Sequence, residues 1–377
     1  MKVLITGAKG FIGKNLTAQL AELRDLEILV HTRGSSVDEL QQAIERADFV
    51  CHMAGANRPV DENGFVRDNT DFTKFLCDLI SKSGRHLPII FASSIHAENT
   101  NQHSLHGKFG ASKLAAEQVL LKYSADTGAK VYLYRLPHVF GKWARPEYNS
   151  VVATFCHHII HGLPIQINDP SYPLNLIYID DLVNHFAQII EGKEMGNEGY
   201  CEVQPSYSIT VGALAEQIRA FQDCRSNWVS ERVGVGLTRA LYSTYISYLP
   251  PEKFLYPLQE YRDPRGIFVE VLKTKDSGQF SFFTAPAGVT RGSHYHHTKA
   301  EKFLVVKGEA RFRFKHILSN EYYEFVTSSR EPKIVETIPG WGHDITNIGQ
   351  DEMIVLLWAN EIFDKNKPDT YSFDCVS

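Results

Sequence analysis

The chain has no pair of cysteines at a metal- or redox-motif spacing; its six (Cys51, Cys77, Cys156, Cys201, Cys224 and Cys375) lie far apart. That pattern supports neither a disulfide framework nor a CxxC centre, and the residues read as buried thiols in a reducing compartment. A basic run is missing too: 39 basic and 44 acidic residues are interspersed, for a net charge of −5. A phosphodiester backbone finds little to bind on such a chain, so nucleic acid is not expected as a partner. No apolar stretch reaches the roughly 20 residues that span a bilayer. Met1 leads directly into the strand-like "KVLITG", so no signal peptide, no membrane partner and a cytoplasmic location are expected.

What is present is enough apolar sequence for two cores: 377 residues, 43% of them hydrophobic. Up to about residue 245, short β-like runs ("KVLITG", "LEILVHT", "DFVCHMAG", "PIIFASS", "KVYLYRL") alternate with helical segments such as 14–23 and 112–123. That alternation implies βαβ units and a parallel sheet covered on both faces. From about residue 262 the strands follow one another directly, and in "ARFRFKH" apolar and basic residues alternate as on a half-buried antiparallel strand. Pro250, Pro251 and Pro257 mark the connector. The expected division is an α/β domain over residues 1–250 and an all-β domain, a small jelly-roll barrel, over 258–377.

"TGAKGFIG" follows the first strand and opens the first helix, placing Gly7, Gly10 and Gly13 at GxxGxxG spacing. Glycines here let the backbone approach a pyrophosphate, which the helix N-terminus stabilises. After the second strand, where an acidic residue would meet the ribose hydroxyls of NAD, the chain reads "HTRG". Arg33 is suited to a 2′-phosphate, which points to NADPH.

With "HMAG" at 52–55, Asn69, "FASS" at 91–94, Lys113, "RLPHVFG" at 135–141 and "IYIDDLV" at 177–183, most of the first 245 residues resemble the extended short-chain dehydrogenase/reductase family. The resemblance implies a Rossmann-type doubly wound sheet and an NADPH site formed by Gly7, Gly10, Phe11, Ile12, Gly13, Arg33, Ala54 and Lys113. It also implies a catalytic set in which Ser94 holds the substrate carbonyl and Lys113 contacts the nicotinamide ribose. In "HGKFGASK" the tyrosine that would donate a proton to the carbonyl oxygen is missing, and Phe109 stands four residues before Lys113. Loss of a positioned general acid costs about a hundred- to ten-thousandfold in rate while binding survives. A binding-competent, reduction-impaired domain is therefore expected. His103 and His106 are nearby but read as exposed loop histidines.

In the second half, "GVTRGSHYHHTKAEKFLVVKG" carries His294, His296 and Glu301, and "PGWGHDITN" supplies His343. Alternate residues of a strand face one side, so His294 and His296 point inward together, and His297 points the other way. Glu301 and His343 complete a three-histidine, one-carboxylate shell for one divalent metal, with zinc foremost among zinc, iron, manganese and nickel. The spacing is similar to that of the cupin superfamily, departing from its second motif at Pro339–Gly340.

Further stretches ("FGKWARPEYNSVVATFC", "LYSTYISYLP", "HYHHTKAEKFLVV") resemble the CapF-type bifunctional enzymes of bacterial capsular polysaccharide synthesis over nearly the whole chain. The resemblance implies a UDP-linked 2-acetamido-2,6-dideoxy-4-keto-hexose substrate on the way to UDP-N-acetyl-L-fucosamine. The cupin would epimerise C3 and the reductase would reduce C4 with NADPH. Arg145, Tyr148, Asn149, Ser150 and Val152 would hold the UDP group, and the family's reductases pair as homodimers through the helix carrying Lys113. Lys302, Tyr295, Tyr323 and Asp344 are the proton carriers near the metal motif, and the sequence does not rank them as the epimerase base.

Overall fold

The apolar runs of the first half become the strands of a parallel sheet, each followed by a segment that packs back onto it. The structure, a computed structural model, describes residues 1–61, 63–98, 105–193 and 199–376. In chain order the elements are β1 (Lys2–Thr6), α1 (Phe11–Ala21), β2 (Glu27–His31), α2 (Val37–Arg46), β3 (Phe49–His52), α3 (Phe72–Lys82), β4 (Ile89–Ser94), α4 (Leu105–Thr127) and β5 (Val131–Leu136). They continue with β6 (His138–Phe140), α5 (Val151–His161), β7 (Pro173–Tyr178), α6 (Ile179–Ile190), β8 (Gly199–Cys201) and β9 (Tyr207–Thr210).

Among the described residues the main sheet runs β2-β1-β3-β4-β5-β8, parallel throughout. Strand order reverses between β1 and β3, which opens a crevice beyond their carboxyl ends; ligands of doubly wound sheets bind at such a point. Leu4, Val50, Ile89, Phe91 and Leu133 from the sheet pack against Ile44, Leu76, Ile80 and Leu120 from the helices. These strands are buried on both faces and so read as continuous apolar runs. A smaller sheet, β6-β7-β9, lies beside them in sequence.

Two antiparallel sheets make up the all-β part. One contains strands Gly266–Thr274, Gly278–Ala285, Met353–Ala359, Glu301–Lys307 and Ile334–Glu336 in that order; the other runs Tyr322–Ser328, Glu309–His316, Trp341–Asn347, Thr290–Tyr295, Tyr371–Ser372. Phe283, Phe303, Val305, Phe312, Phe314, Ile345, Met353 and Val355 fill the space between them. Every second residue of "ARFRFKH" points into this core, as strand alternation requires.

The chain divides into two compact units, Met1–Ile218 with Ala240–Tyr248, and Arg219–Arg239 with Leu249–Ser377. The intervening segment 219–239 joins the second unit because Val229–Ser230 pairs in parallel with Lys273 and Thr274. A two-residue strand carries no periodicity from which to read it. Among the described residues no helix is long and apolar enough to cross a membrane.

Two candidate active sites

At the end of β1 the chain turns at Gly7, whose φ of +69° lies in the left-handed region that glycine adopts without strain. A Cβ on Gly7 would stand 2.6 Å from the backbone nitrogen of Ala54, and one on Gly13 would stand 2.3 Å from the Gly7 carbonyl oxygen. Gly10 donates its N–H to that same carbonyl at 2.8 Å, closing the turn, and caps α1. Phe11 and Ile12 form the first turn of α1, which has no acidic residue to compete with an anion. The crevice above is a cleft of about 620 Å³ walled by Gly7, Gly10, Arg33, Ala54, Gly55 and Asp68. Arg33, with 85% of its side chain exposed, donates to Asp68 at 3.0 Å. Behind the wall, the Ala54 N–H donates to Thr6 Oγ1 at 3.3 Å. Thr6 Oγ1 lies 2.7 Å from Nδ1 of buried His52, and Thr73 Oγ1 lies 2.8 Å from its Nε2. Burial, reinforced by Lys113 and His31, pushes the His52 pKa down to about 3, so the ring is neutral.

Phe109, Lys113 and Glu117 recur at four-residue spacing along α4 and therefore share one face, which is turned to β4 and the turn after it. Lys113 is buried; its Nζ donates to the Ala92 carbonyl at 2.8 Å and lies 4.6 Å from the centre of the Phe91 ring. A Cβ on Gly55 would come within 3.1 Å of that Nζ, so the amine ends at the cleft wall. Burial lowers the Lys113 pKa to about 8, opposed by the nearby Glu117 carboxylate. Glu117 is fully buried and accepts from Ser93, from Tyr200 at 2.9 Å, and from Arg135 at 2.7 to 3.2 Å. Ser94 is half-buried, and its Oγ accepts from the His96 N–H at 3.3 Å. The Phe109 ring lies 6.1 Å from Phe65 and 6.1 Å, edge to face, from the His96 imidazole. Asn69, in a π-helical turn over Val66–Asp71, exchanges hydrogen bonds with the Ala56 backbone and donates to Ser112 at 2.9 Å, pinning α4 beside the cleft.

Neither His96 nor Glu117 is singled out by the sequence reading. The four-residue step from Lys113 carries the signal for Glu117, whereas His96 lies off the helix, and only the fold brings it to Phe109. His103 and the side chain of His106 lie outside the described residues.

The residues assigned to UDP by resemblance fall on the loop into α5 and on its first turn. Arg145 stacks over the Tyr148 ring at 5.2 Å, and Arg58 lies over the same ring at 5.5 Å. Tyr148 also borders a hollow of about 420 Å³ that shares Arg33, Gly55 and Asp68 with the nucleotide cleft. Asn149 is exposed, and Ser150 caps α5 by accepting from the Ala153 N–H at 3.3 Å. Val152 packs in the core with 1% exposure, which leaves its backbone N–H, in the first turn of α5, as the group able to meet a ligand.

In the second unit, the strand Thr290–Tyr295 is bulged between Gly292 and His294, where Ser293 takes a φ of 61°. The bulge sets His294 opposite His343. Among the described residues, one ligand atom each from His294, His296, Glu301 and His343 lie within 4.8 Å of one another. The His296 and His343 Nε2 atoms stand 3.3 and 3.4 Å from the same Glu301 oxygen. His296 Nδ1 donates to the Asp369 carbonyl at 2.5 Å, so its Nε2 presents a lone pair to a carboxylate that is also an acceptor. Among the described residues His343 Nε2 is buried without a hydrogen-bond partner. Facing lone pairs in a buried space fit a cation between them. Burial lowers the His294 pKa to about 4, helped by His343 and His296, which keeps that ring in its ligating form. Burial alone would raise the Glu301 pKa, but the adjoining His296 and His343 imidazoles outweigh it and hold the carboxyl ionised.

Arg265 and Arg291 border the roughly 190 Å³ hollow in front of His294 and Glu301. Of the four proton carriers, Asp344 lies beside this hollow; it is buried and paired with Arg313 at 2.9 Å. Lys302 pairs with Glu336, Tyr295 stacks on Tyr371, and Tyr323 packs on Trp341. His297 turns away from the cluster and meets Tyr371.

Residues 3–201 match the NAD dependent epimerase/dehydratase family, and residues 261–371 match the polysaccharide biosynthesis C-terminal domain. The chain is 53% identical over 372 residues to the UDP-2-acetamido-2,6-beta-L-arabino-hexul-4-ose reductase of Pseudomonas aeruginosa, covering 99% of this chain and 98% of that one. It superposes on the crystal structure of the capsular polysaccharide assembling protein CapF of Staphylococcus aureus with a TM-score of 0.91 at 39% identity, covering 99% and 100% of the two chains. A UDP-glucuronic acid 4-epimerase of Bacillus cereus, 16% identical, aligns with 66% of this chain and 98% of its own at a TM-score of 0.55, a likeness of fold.

Proposed function

The chain belongs to the NAD dependent epimerase/dehydratase family and to its CapF-type branch, and from that premise we propose a two-site enzyme acting on a UDP-linked 2-acetamido-2,6-dideoxy-4-keto-hexose. The second unit epimerises C3, and the first reduces the C4 ketone with NADPH to the 6-deoxy-talose sugar of the UDP-N-acetyl-L-fucosamine route. The observation that carries this reading is the coexistence in one chain of a glycine-turn cleft whose wall the Lys113 amine reaches and a largely buried His294–His296–Glu301–His343 cluster.

At the second site the C4 ketone acidifies the C3 hydrogen; a base removes it to leave an enolate, and reprotonation from the other face inverts the carbon. A divalent metal held by His294, His296, Glu301 and His343, zinc first among the candidates, would either stabilise enolate charge as a Lewis acid or fix the barrel. Arg265 and Arg291 supply positive charge where a diphosphate or developing oxyanion would lie.

In the first unit the α1 turn holds the pyrophosphate of NADPH, Arg33 meets the 2′-phosphate, Lys113 binds the nicotinamide ribose, and the segment Arg145–Val152 holds UDP. Bound NADPH supplies a hydride. Ser94 Oγ orients the ketone, and Phe109, lacking a hydroxyl, leaves the reduction slower than a tyrosine would make it.

Phe109 also favours a second reading, in which the first unit binds cofactor and nucleotide-sugar without turning over. Product analysis decides between them. With NADPH and the UDP-linked keto-sugar, slow formation of the C4 alcohol supports the two-site enzyme, whereas an epimerised ketone as sole product supports the second reading.

A further inference from the structure

With the reductase reading as its basis, we propose that His96 supplies the proton that Phe109 is unable to give during reduction of the C4 ketone. The imidazole lies against the Phe109 ring, edge to face at 6.1 Å. It thus stands beside the ring that would carry the phenolic hydroxyl of a tyrosine. His96 is the second residue of the turn that directly follows Ser94, and its own N–H donates to Ser94 Oγ at 3.3 Å. The group that orients the carbonyl and the group that protonates it are thereby joined by two residues of chain. The side chain is half-buried.

The chemistry balances without any further reactant. Hydride passes from the reduced nicotinamide to C4 as the carbonyl π bond breaks, a new C–H bond forms, and the cofactor leaves oxidised. The electron pair that collects on oxygen takes a proton from the imidazolium of His96 to form the hydroxyl, and the neutral ring is reprotonated from solvent. Imidazole is the commonest side chain for this work near neutral pH. Ser94 donates a hydrogen bond to the oxygen throughout and ends unchanged.

The test is a double-mutant cycle on His96→Gln and Phe109→Tyr, followed by NADPH oxidation with the UDP-linked keto-sugar. In the native background His96→Gln should lower kcat about a hundredfold, the lower end of what a general acid contributes. In the Phe109→Tyr background it should change kcat less than about threefold, because the tyrosine then carries the proton. Equal losses in both backgrounds would mark His96 as structural and overturn the proposal; no loss in either would do the same. A second readout needs no turnover: the imidazole nitrogen signals missing from the His96→Gln spectrum should shift when the keto-sugar binds without cofactor. Unmoved signals, with sugar binding intact by calorimetry, overturn the proposal. If every variant, Phe109→Tyr included, leaves NADPH unoxidised while the melting temperature is unchanged, the reductase reading itself fails and this assignment falls with it.

Discussion

Lys113 Nζ donates at 2.8 Å to the carbonyl oxygen of Ala92, two residues before Ser94, and this bond ties the lysine helix to the serine strand. The amine is buried and its pKa is lowered to about 8. The folded value lies below the unfolded value of 10.5, so the penalty for holding the charge is complete below about pH 8 and fades as pH rises toward 10.5. Stability of the cofactor-free protein should therefore rise over that window, while NADPH affinity falls as the amine loses its charge. Fluorescence titrations at pH 7 and pH 9 check the second effect, which Lys113→Met should abolish.

Phe109→Tyr restores a hydroxyl on the face that carries Lys113. Reduction should accelerate, by up to the hundred- to ten-thousandfold that a positioned general acid contributes less the share already supplied by His96. The KM for the sugar should hardly change, since ring and helix are kept. Steady-state NADPH oxidation is the measurement.

The α/β and all-β halves were legible because buried parallel strands form continuous apolar runs, such as "KVLITG", and antiparallel core strands alternate, as in "ARFRFKH". The glycine turn and the His294–Glu301 motif were legible because backbone clearance and ligation each demand particular residues at short, fixed spacings. The approach of His96 to Phe109 was not, since it depends on how α4 lies against the turn after β4 and carries no spacing signal. Nor was the Asp369 carbonyl that orients His296: it comes from 73 residues away, and a backbone acceptor leaves no mark on composition.

Removal of metal should destabilise the second unit, because His343 Nε2 and the Glu301 carboxylate would be left buried and facing other acceptors. Elemental analysis should find about one divalent ion per chain, and a chelator should lower the melting temperature. His343→Ala should abolish metal retention and the chelator effect together.

His52 makes the first unit acid-sensitive. Its folded pKa of about 3 lies below the unfolded 6.5, so only the unfolded chain takes up the proton between these values. The stability present above pH 6.5 should decline as pH falls toward 3, by on the order of a few kcal/mol in all. Melting curves between pH 7 and pH 4 follow it. His52→Asn should flatten the pH dependence while lowering stability at pH 7, since Asn is too short to bridge Thr6 and Thr73.

A two-site enzyme of this kind both inverts C3 and reduces C4 of a UDP-linked 4-keto-hexose within one chain. Incubation in heavy water with NADPH, with NMR of the recovered nucleotide-sugar, tests it most directly. The expected result is a C4 alcohol carrying solvent deuterium at C3, and deuterium at C3 of the ketone when NADPH is left out. A product with its original C3 hydrogen, or recovered ketone without deuterium, would contradict it.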